Sequence, residues 1–129
     1  RPKGEDGFSV VVESCPDSLA HEIGHNLGAL HTRWDMMNAG NNTVWNDPDF
    51  FNFGYLSVPD GVRTIEAYND QCIAAGKDCP RVWHSSNPDI PFPGAATKTG
   101  ISVNTPGAAD NQTKLNTIVC EAAAYRSPP

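Results

Sequence analysis

Four residues between positions 21 and 31 have the types and spacing of a catalytic metal site. His21 and His25 stand four apart, so on a helix they lie on the same face and can present two imidazole nitrogens to one point. Gly28 can take the left-handed conformation that ends a helix and bring His31 round as a third ligand. Three neutral imidazoles leave a fourth tetrahedral position open, which is typical of a catalytic rather than a structural Zn²⁺.

Glu22 is the candidate general base of this site. It follows His21 on the same helical turn, so its carboxylate can contact a water molecule at the open position without being a ligand itself. A carboxylate in that place can take the proton of the attacking water in a hydrolysis. The segment therefore predicts metal-assisted hydrolysis with one zinc ion.

A strand and a helix are predicted to position these side chains. Residues 8–14 form a short β-branched run of strand type, and the helix that follows starts with Asp17 or Ser18 as its N-cap and runs to about Leu27. Four apolar residues recur at helical spacing and are predicted to face the core. They are Leu19, Ile23, Leu27 and Leu30.

The rest of the chain has less periodicity. Residues 32–59 and 85–109 are predicted to be irregular loops, and Asp110 is predicted to cap a final helix. The core-facing stripe of that helix consists of Leu115, Ile118, Val119, Ala122 and Tyr125. In the first loop Asp47, Asp49 and Asp60 offer oxygen atoms that calcium could use, but no known calcium loop is matched and solvated turn residues are the favoured interpretation.

Composition limits the possible partners. The 129 residues fit one domain, 1–129, and the net charge of −6 without a basic cluster argues against nucleic acid and anionic membrane surfaces. No apolar run approaches the length of a membrane span. The expected partner is a peptide or protein substrate, and nothing in the sequence indicates an oligomeric state.

Four cysteines allow three disulfide connectivities. We favour Cys72 with Cys79 as a local link, and Cys15 with Cys120 as a long closure that ties the start of the chain to its last helix. Disulfides form in oxidising compartments, so a secreted or periplasmic protein is expected.

Two stretches resemble the metzincin zinc endopeptidases. Residues 21–31 match their H-E-x-x-H-x-x-G-x-x-H signature. A second set resembles the Met-turn region of bacterial reprolysin-like (adamalysin-like) metzincins. This set comprises Gly54-Tyr55-Leu56, Arg63-Thr64-Ile65-Glu66-Ala67-Tyr68-Asn69-Asp70-Gln71-Cys72, Cys79-Pro80-Arg81 and Ser86-Asn87-Pro88.

The resemblance runs from about residue 8 to residue 126 and implies an α+β fold. The chain would be the later part of a metzincin-like zincin catalytic domain, with an active-site helix, long irregular loops, a C-terminal helix and little sheet of its own. Most of the family's N-terminal sheet subdomain would precede residue 8. By resemblance, residues 86–92 would border the substrate.

Glu66 is the main departure from the family pattern, which has methionine in this position as an apolar floor under the zinc site. Three interpretations remain: the charge is offset by the dication, the side chain turns away, or the site is weakened. Met36 and Met37, the only methionines in the chain, could instead supply the floor, although the residues flanking Glu66 match the turn better.

Tyr68 lies two residues after the turn position, where astacins and serralysins carry a tyrosine that stabilises the oxyanion. A core tyrosine with a locally bonded hydroxyl is the favoured interpretation. His84, the remaining histidine, is predicted to lie at the surface.

The resemblance therefore implies a zinc-dependent endopeptidase with His21, His25 and His31 as ligands and Glu22 as base. The alternative is a catalytically impaired, zinc-bearing binding or structural module of the same ancestry. A cytosolic structural domain with a chance motif is a third possibility. The presence of Glu22 favours the enzyme, because a structural zinc site has no use for a base.

Overall fold

The structure, a computed structural model, describes residues 18–40, 47 and 49–124. Its helices are α1 (Ser18–Asn26), α2 (Arg33–Asn38), α3 (Asp70–Ala74) and α4 (Asn111–Ala123). Its strands are β1 (Leu30–Thr32), β2 (Phe53–Gly54), β3 (Leu56–Ser57) and β4 (Val62–Arg63). In its described residues this is a small α+β protein with four helices and few short strands. The predicted strand at residues 8–14 lies outside the described residues.

Helix α1 ends close to where the sequence predicts. The amide of Gly28 donates to the carbonyl of His25 at 2.9 Å, and the amide of Ala29 donates to the carbonyl of Gly24 at 2.9 Å. Gly28 has φ of 90°, the left-handed conformation that was expected of it. The chain therefore leaves the helix in a sharp turn and enters β1 at Leu30.

The buried side of α1 differs from the prediction. Leu19 is 50% exposed and Ile23 is 46% exposed, whereas the buried residues of the helix are His21 and Gly24. The expectation that the apolar residues of α1 face the core is wrong for Leu19 and Ile23. The reason is that α1 packs through His21 and Gly24 onto the turn that carries Glu66.

Sheet is limited to two pairs of strands in the described part of the chain. β1 and β2 run parallel, with Leu30 opposite Phe53. β3 and β4 run antiparallel, with Leu56 opposite Arg63. The parallel pair places His31 beside the segment that leads to the Glu66 turn.

The first predicted loop contains a helix that the periodicity did not reveal. α2 starts directly after Thr32, whose hydroxyl accepts a hydrogen bond from the amide of Asp35 at 3.0 Å. The Asp35 carboxylate accepts in return from the amide of Thr32 at 3.3 Å, which completes a capping box. Met36 and Met37 lie on this short helix and are half-buried.

A small core packs around one disulfide. Cys72 and Cys79 are bonded, as predicted, and pack with Leu56, Ala67 and Val58. Cys120 is exposed on α4 and has no disulfide partner among the described residues. Cys15 lies outside the described residues, so the Cys15–Cys120 disulfide stays a prediction.

Helix α4 begins as predicted, since the Asp110 side chain accepts from the amide of Thr113 at 3.0 Å. Ile118 is buried, but Val119 is 51% exposed, so the predicted apolar stripe is wrong at Val119. Tyr125 lies outside the described residues. In the described part of the chain no helix is long and apolar enough to span a membrane.

Candidate metal centre

Three histidine side chains converge on one point at the junction of α1 and β1. The Nε2 atom of His25 lies 3.0 Å from that of His21 and 2.9 Å from that of His31. The third edge of the triangle, from His31 to His21, measures 3.3 Å. Nitrogens bound tetrahedrally to zinc at 2.0–2.1 Å are about 3.3 Å apart. The three predicted ligands therefore have nearly the spacing that a tetrahedral metal ion requires.

Backbone carbonyls fix the orientation of two of these rings. The Nδ1 atom of His21 lies 2.9 Å from the carbonyl oxygen of Ile65, and that of His25 lies 2.8 Å from the carbonyl oxygen of Ala29. A carbonyl only accepts hydrogen bonds, so each Nδ1 must carry the proton. The Nε2 lone pairs are then free for a metal ion.

The protonation state of the site also suits metal binding. Burial lowers the pKa of His21, against a hydrogen bond to the carbonyl of Ile65 that raises it. Burial, helped by the neighbouring His25 and His21, lowers the pKa of His31 to about 4. His31 is therefore neutral at neutral pH, which is the form that ligates metals.

His31 reaches the site because Gly28 and Asn52 hold the turn after α1. The Asn52 side chain donates to the carbonyl of Gly28 at 2.6 Å, and its backbone carbonyl accepts from the amide of Leu30 at 2.8 Å. A Cβ atom at Gly28 would lie 2.7 Å from the side chain of Lys114 on α4. Asn52 and Lys114 therefore hold the turn in place from two sides.

No other cluster of metal-binding side chains is found in the part of the chain that the structure describes. Among the described residues, the histidine triad is the single group of three or more His, Cys, Asp or Glu side chains close enough to share an ion. Asp47, Asp49 and Asp60 do not form such a group. All three are exposed, as solvated turn residues are expected to be.

Glu22 lies on α1 at the edge of the triad and is half-buried. Its negative charge opposes the burial that lowers the pKa of His21, and it adds to the burial that raises the pKa values of Glu66 and Tyr68. As the residue that follows His21 on α1, Glu22 is the candidate for the general base of this site.

Glu66 occupies the floor beneath the histidines. The side chain is fully buried, and its Oε2 atom lies 3.1 Å from Nδ1 of His21 and 3.7 Å from Nε2 of His25. A Cβ atom at Gly24 would collide with this carboxylate, so the glycine is what lets α1 pack so closely. The interpretation in which Glu66 turns away from the site is wrong. The residue found at the floor is Glu66 rather than Met36 or Met37.

The Glu66 carboxylate is poorly compensated. Neither oxygen has a hydrogen-bond partner among the described residues. Burial raises the pKa of Glu66 to about 8, against the lowering effect of Arg81 and with a further contribution from Glu22. A buried acceptor without a donor is costly, and a nearby dication would offset that cost.

Tyr68 lies beside the triad at its solvent edge. Its ring centroid is 3.9 Å from that of His31 and 5.9 Å from that of His21. The side chain is 41% exposed, so the favoured interpretation as a core tyrosine is wrong. Burial and the charges of Glu22, Asp35 and Asp70 raise the pKa of Tyr68, which keeps its hydroxyl protonated and able to donate.

His84 and Ser86 are not part of the triad. His84 is half-buried rather than at the surface, and its Nδ1 atom lies 2.9 Å from the carbonyl oxygen of Ser85. The buried Ser86 hydroxyl donates to the carbonyl of Phe53 at 2.6 Å and accepts from the amide of Asn111 at 2.8 Å. Ser86 therefore joins β2 to the start of α4, and the expected role of residues 86–92 near substrate stays a prediction.

Two residues near the site were not anticipated from the sequence. The Oδ2 atom of Asp35 accepts from the hydroxyl of Thr32 at 2.7 Å and from the amide of Tyr68 at 3.3 Å, which ties α2 to the segment that carries Tyr68. The Thr32-x-x-Asp35 spacing was the available signal for this role. Arg81 acts on Glu66 through its charge. No local pattern connects positions 66 and 81.

Comparison of the chain with protein-family models, with curated proteins and with solved structures finds no match in any of the three.

Proposed function

We propose that this protein is a zinc-dependent endopeptidase of the metzincin type. The observation that carries the proposal is the convergence of three Nε2 atoms at 2.9–3.3 Å, with Glu22 following His21 on α1. Three imidazole nitrogens are a common ligand set for catalytic zinc and leave one coordination position open. The substrates are peptides or proteins.

His21, His25 and His31 would hold the ion through neutral imidazoles. The chemistry that zinc supplies when bound is the acidification of a water molecule and the polarisation of a carbonyl oxygen. The carbonyls of Ile65 and Ala29 keep the rings of His21 and His25 in the ligating orientation. The protein therefore needs little rearrangement to bind the ion.

Glu22 takes the proton of the attacking water and passes it to the leaving amine as the peptide bond breaks. Tyr68 lies against His31, and its protonated hydroxyl supports a role as donor to the negative charge that develops on the carbonyl oxygen. Both side chains reach solvent, so both are available to a substrate.

The Cys72–Cys79 disulfide supports an oxidising compartment for this chain. We therefore keep the secreted or periplasmic location as part of the proposal. A peptidase that acts on extracellular proteins would work there.

A second candidate function follows from Glu66. A carboxylate buried beneath the ligands makes the site less electropositive, which strengthens zinc binding but weakens the activation of water and carbonyl. The chain would then be a zinc-bearing binding or structural module. Zinc binding without peptide hydrolysis is the result that favours this candidate.

The test is cleavage of an unfolded protein by the full chain with one equivalent of zinc, compared with Glu22→Gln. Loss of the general base is expected to lower kcat at least about 100-fold while the zinc content stays at one per chain. Glu121→Gln on α4 makes the same chemical change away from the site and should keep full activity.

Tyr68→Phe in the same assay measures the contribution of the hydroxyl. We expect kcat to fall about 10- to 100-fold with little change in KM, because the bond forms mainly in the transition state. An unchanged kcat in Glu22→Gln would overturn the assignment of the base, and an unchanged kcat in Tyr68→Phe would remove Tyr68 from the mechanism.

A further inference from the structure

A cavity of about 330 Å³ lies between α2 and the start of α3, directly beside the metal centre. Ligand-binding cavities begin at about this size. Residues that line it are His31, Trp34, Asp35, Asn38, Tyr68 and Asp70. Because His31 and Tyr68 belong both to the cavity and to the metal site, a group bound here lies next to the bond that would be cleaved.

The charged side chains in the walls of this cavity are acidic. Asp35 is 7% exposed, and its Oδ1 atom has no hydrogen-bond partner among the described residues, while Oδ2 accepts from Thr32 and Tyr68. Asp70 is exposed at the first position of α3. Burial raises the pKa of Asp35, against hydrogen bonds from Thr32 and Tyr68 that lower it, and the charge of Asp70 raises it further. A cation in the cavity would offset both the burial of Asp35 and its repulsion by Asp70.

The nearby guanidinium groups make their hydrogen bonds outside the cavity, and the charges of Asp35 and Asp70 act on Arg63 from a distance. Arg63 donates from Nε to the carbonyl of Cys79 and from Nη1 to the carbonyl of Ala67, each at 2.7 Å. Arg33 donates to the carbonyls of Phe50 and Ala108 and lies over the ring of Phe53. Neither arginine lines the cavity, so its acidic walls face an open volume.

Two aromatic side chains complete the walls. Trp34 and Tyr68 present π systems, which attract ammonium and guanidinium groups. Carboxylates together with aromatic rings are the environment that a lysine or arginine side chain requires: the rings cover its apolar stem and the carboxylates neutralise its charge.

We propose that this cavity, the acidic pocket, binds the side chain of a lysine or arginine residue of the substrate next to the scissile bond. The inference rests on the proposed function, because it takes the cation to be part of a peptide. It adds a preference for basic residues to an activity that otherwise has no stated specificity.

The first test measures binding without cleavage. The probe is Nα-acetyl-lysine methylamide, added to the zinc-loaded chain, and the readout is the indole N–H signal of Trp34 in NMR, identified with Trp34→Phe. We expect the signal to shift with lysine and not with the neutral norleucine analogue. Asp70→Asn should weaken the binding at least about fivefold. Asp89→Asn, an exposed aspartate that does not line the acidic pocket, should leave it unchanged.

The second test compares the cleavage of peptides that differ only in lysine or norleucine next to the scissile bond. We expect kcat/KM to be at least about tenfold higher for lysine, and Asp70→Asn to reduce this ratio at least about fivefold. Asp70 is exposed, so its replacement should not prevent folding.

The outcomes separate the two proposals. Asp70-dependent binding of the lysine probe without cleavage of any peptide supports the acidic pocket and overturns the peptidase. Cleavage with equal rates for lysine and norleucine, together with no Trp34 shift, overturns the acidic pocket and leaves the peptidase intact.

Discussion

At the scale of single residues, Glu66 is the group whose energetics depend most on the metal ion. Its carboxylate is fully buried and lies 3.1 Å from a ring nitrogen of His21. Without an ion the carboxylate has no donor among the described residues. With a dication at the triad, the same carboxylate becomes an anionic partner that stabilises the bound state.

We therefore expect Glu66→Met to have opposite effects on metal affinity and on the stability of the metal-free chain. Loss of the anionic partner should weaken zinc binding about 10- to 100-fold, as measured by competition with a chelating dye. Removal of a buried acceptor should raise the free energy of unfolding of the metal-free chain by about 1–3 kcal/mol, as measured by urea denaturation.

Glu66→Gln separates charge from shape, because it keeps the volume of the side chain and removes its charge. It should weaken zinc binding as Glu66→Met does. Equal zinc affinity of the wild-type chain and both variants would show that the carboxylate does not act on the ion.

At the scale of elements, the turn after α1 was predictable, whereas the packing of α1 was not. The positive φ of Gly28 follows from the need to bring His31 back to a helix that already carries two histidines. The exposure of Leu19 and Ile23 depends on what covers the helix, and hydrophobic periodicity says nothing about that. α2 was not predicted because its only sequence signal is one capping box in a stretch without hydrophobic periodicity.

Gly28→Ala should reduce zinc affinity through the turn rather than through a ligand. Alanine at a φ of 90° costs about 1–2 kcal/mol, and its Cβ would also press on the Lys114 side chain at 2.7 Å. We expect the turn to shift and move the His31 side chain away from the other two ligands. Zinc binding should therefore weaken about tenfold or more in a titration.

Gly61→Ala is the matched control for this turn. Gly61 also has a positive φ, of 66°, but a Cβ there meets nothing within 4 Å. It should show a similar loss of stability and an unchanged zinc affinity. Equal zinc affinities in Gly28→Ala and Gly61→Ala would mean that the turn does not set the position of His31.

At the scale of the whole molecule, the sequence predicted those features whose geometry is determined by a short local motif. The triad, the Cys72–Cys79 disulfide and the Asp110 cap each follow from spacing over fewer than a dozen residues. The position of Tyr68 against His31 and the effect of Arg81 on Glu66 depend on contacts between distant segments. Such contacts are set by the packing of the whole chain, which spacing does not encode.

The pH dependence of stability in the metal-free chain brings these groups together. Burial raises the pKa of Glu66 from 4.5 to about 8, so the folded chain favours its protonated form. The contribution of Glu66 to the free energy of unfolding is complete below pH 4.5 and is lost as the pH rises through about 8. The pKa of His31 falls from 6.5 to about 4, so its contribution is complete above pH 6.5 and is lost as the pH falls through about 4.

Between pH 4.5 and 6.5 the contributions of His31 and Glu66 to stability change in opposite directions as the pH rises. Above pH 6.5 the contribution of His31 is constant, and only that of Glu66 still changes. We expect the free energy of unfolding of the metal-free chain to fall by about 1–2 kcal/mol between pH 6.5 and 8, since one proton contributes at most about 1.4 kcal/mol per pH unit. Urea denaturation at closely spaced pH values measures this decline in the free energy of unfolding. Glu66→Gln should remove the decline, and a decline that persists in this variant would assign it to another group.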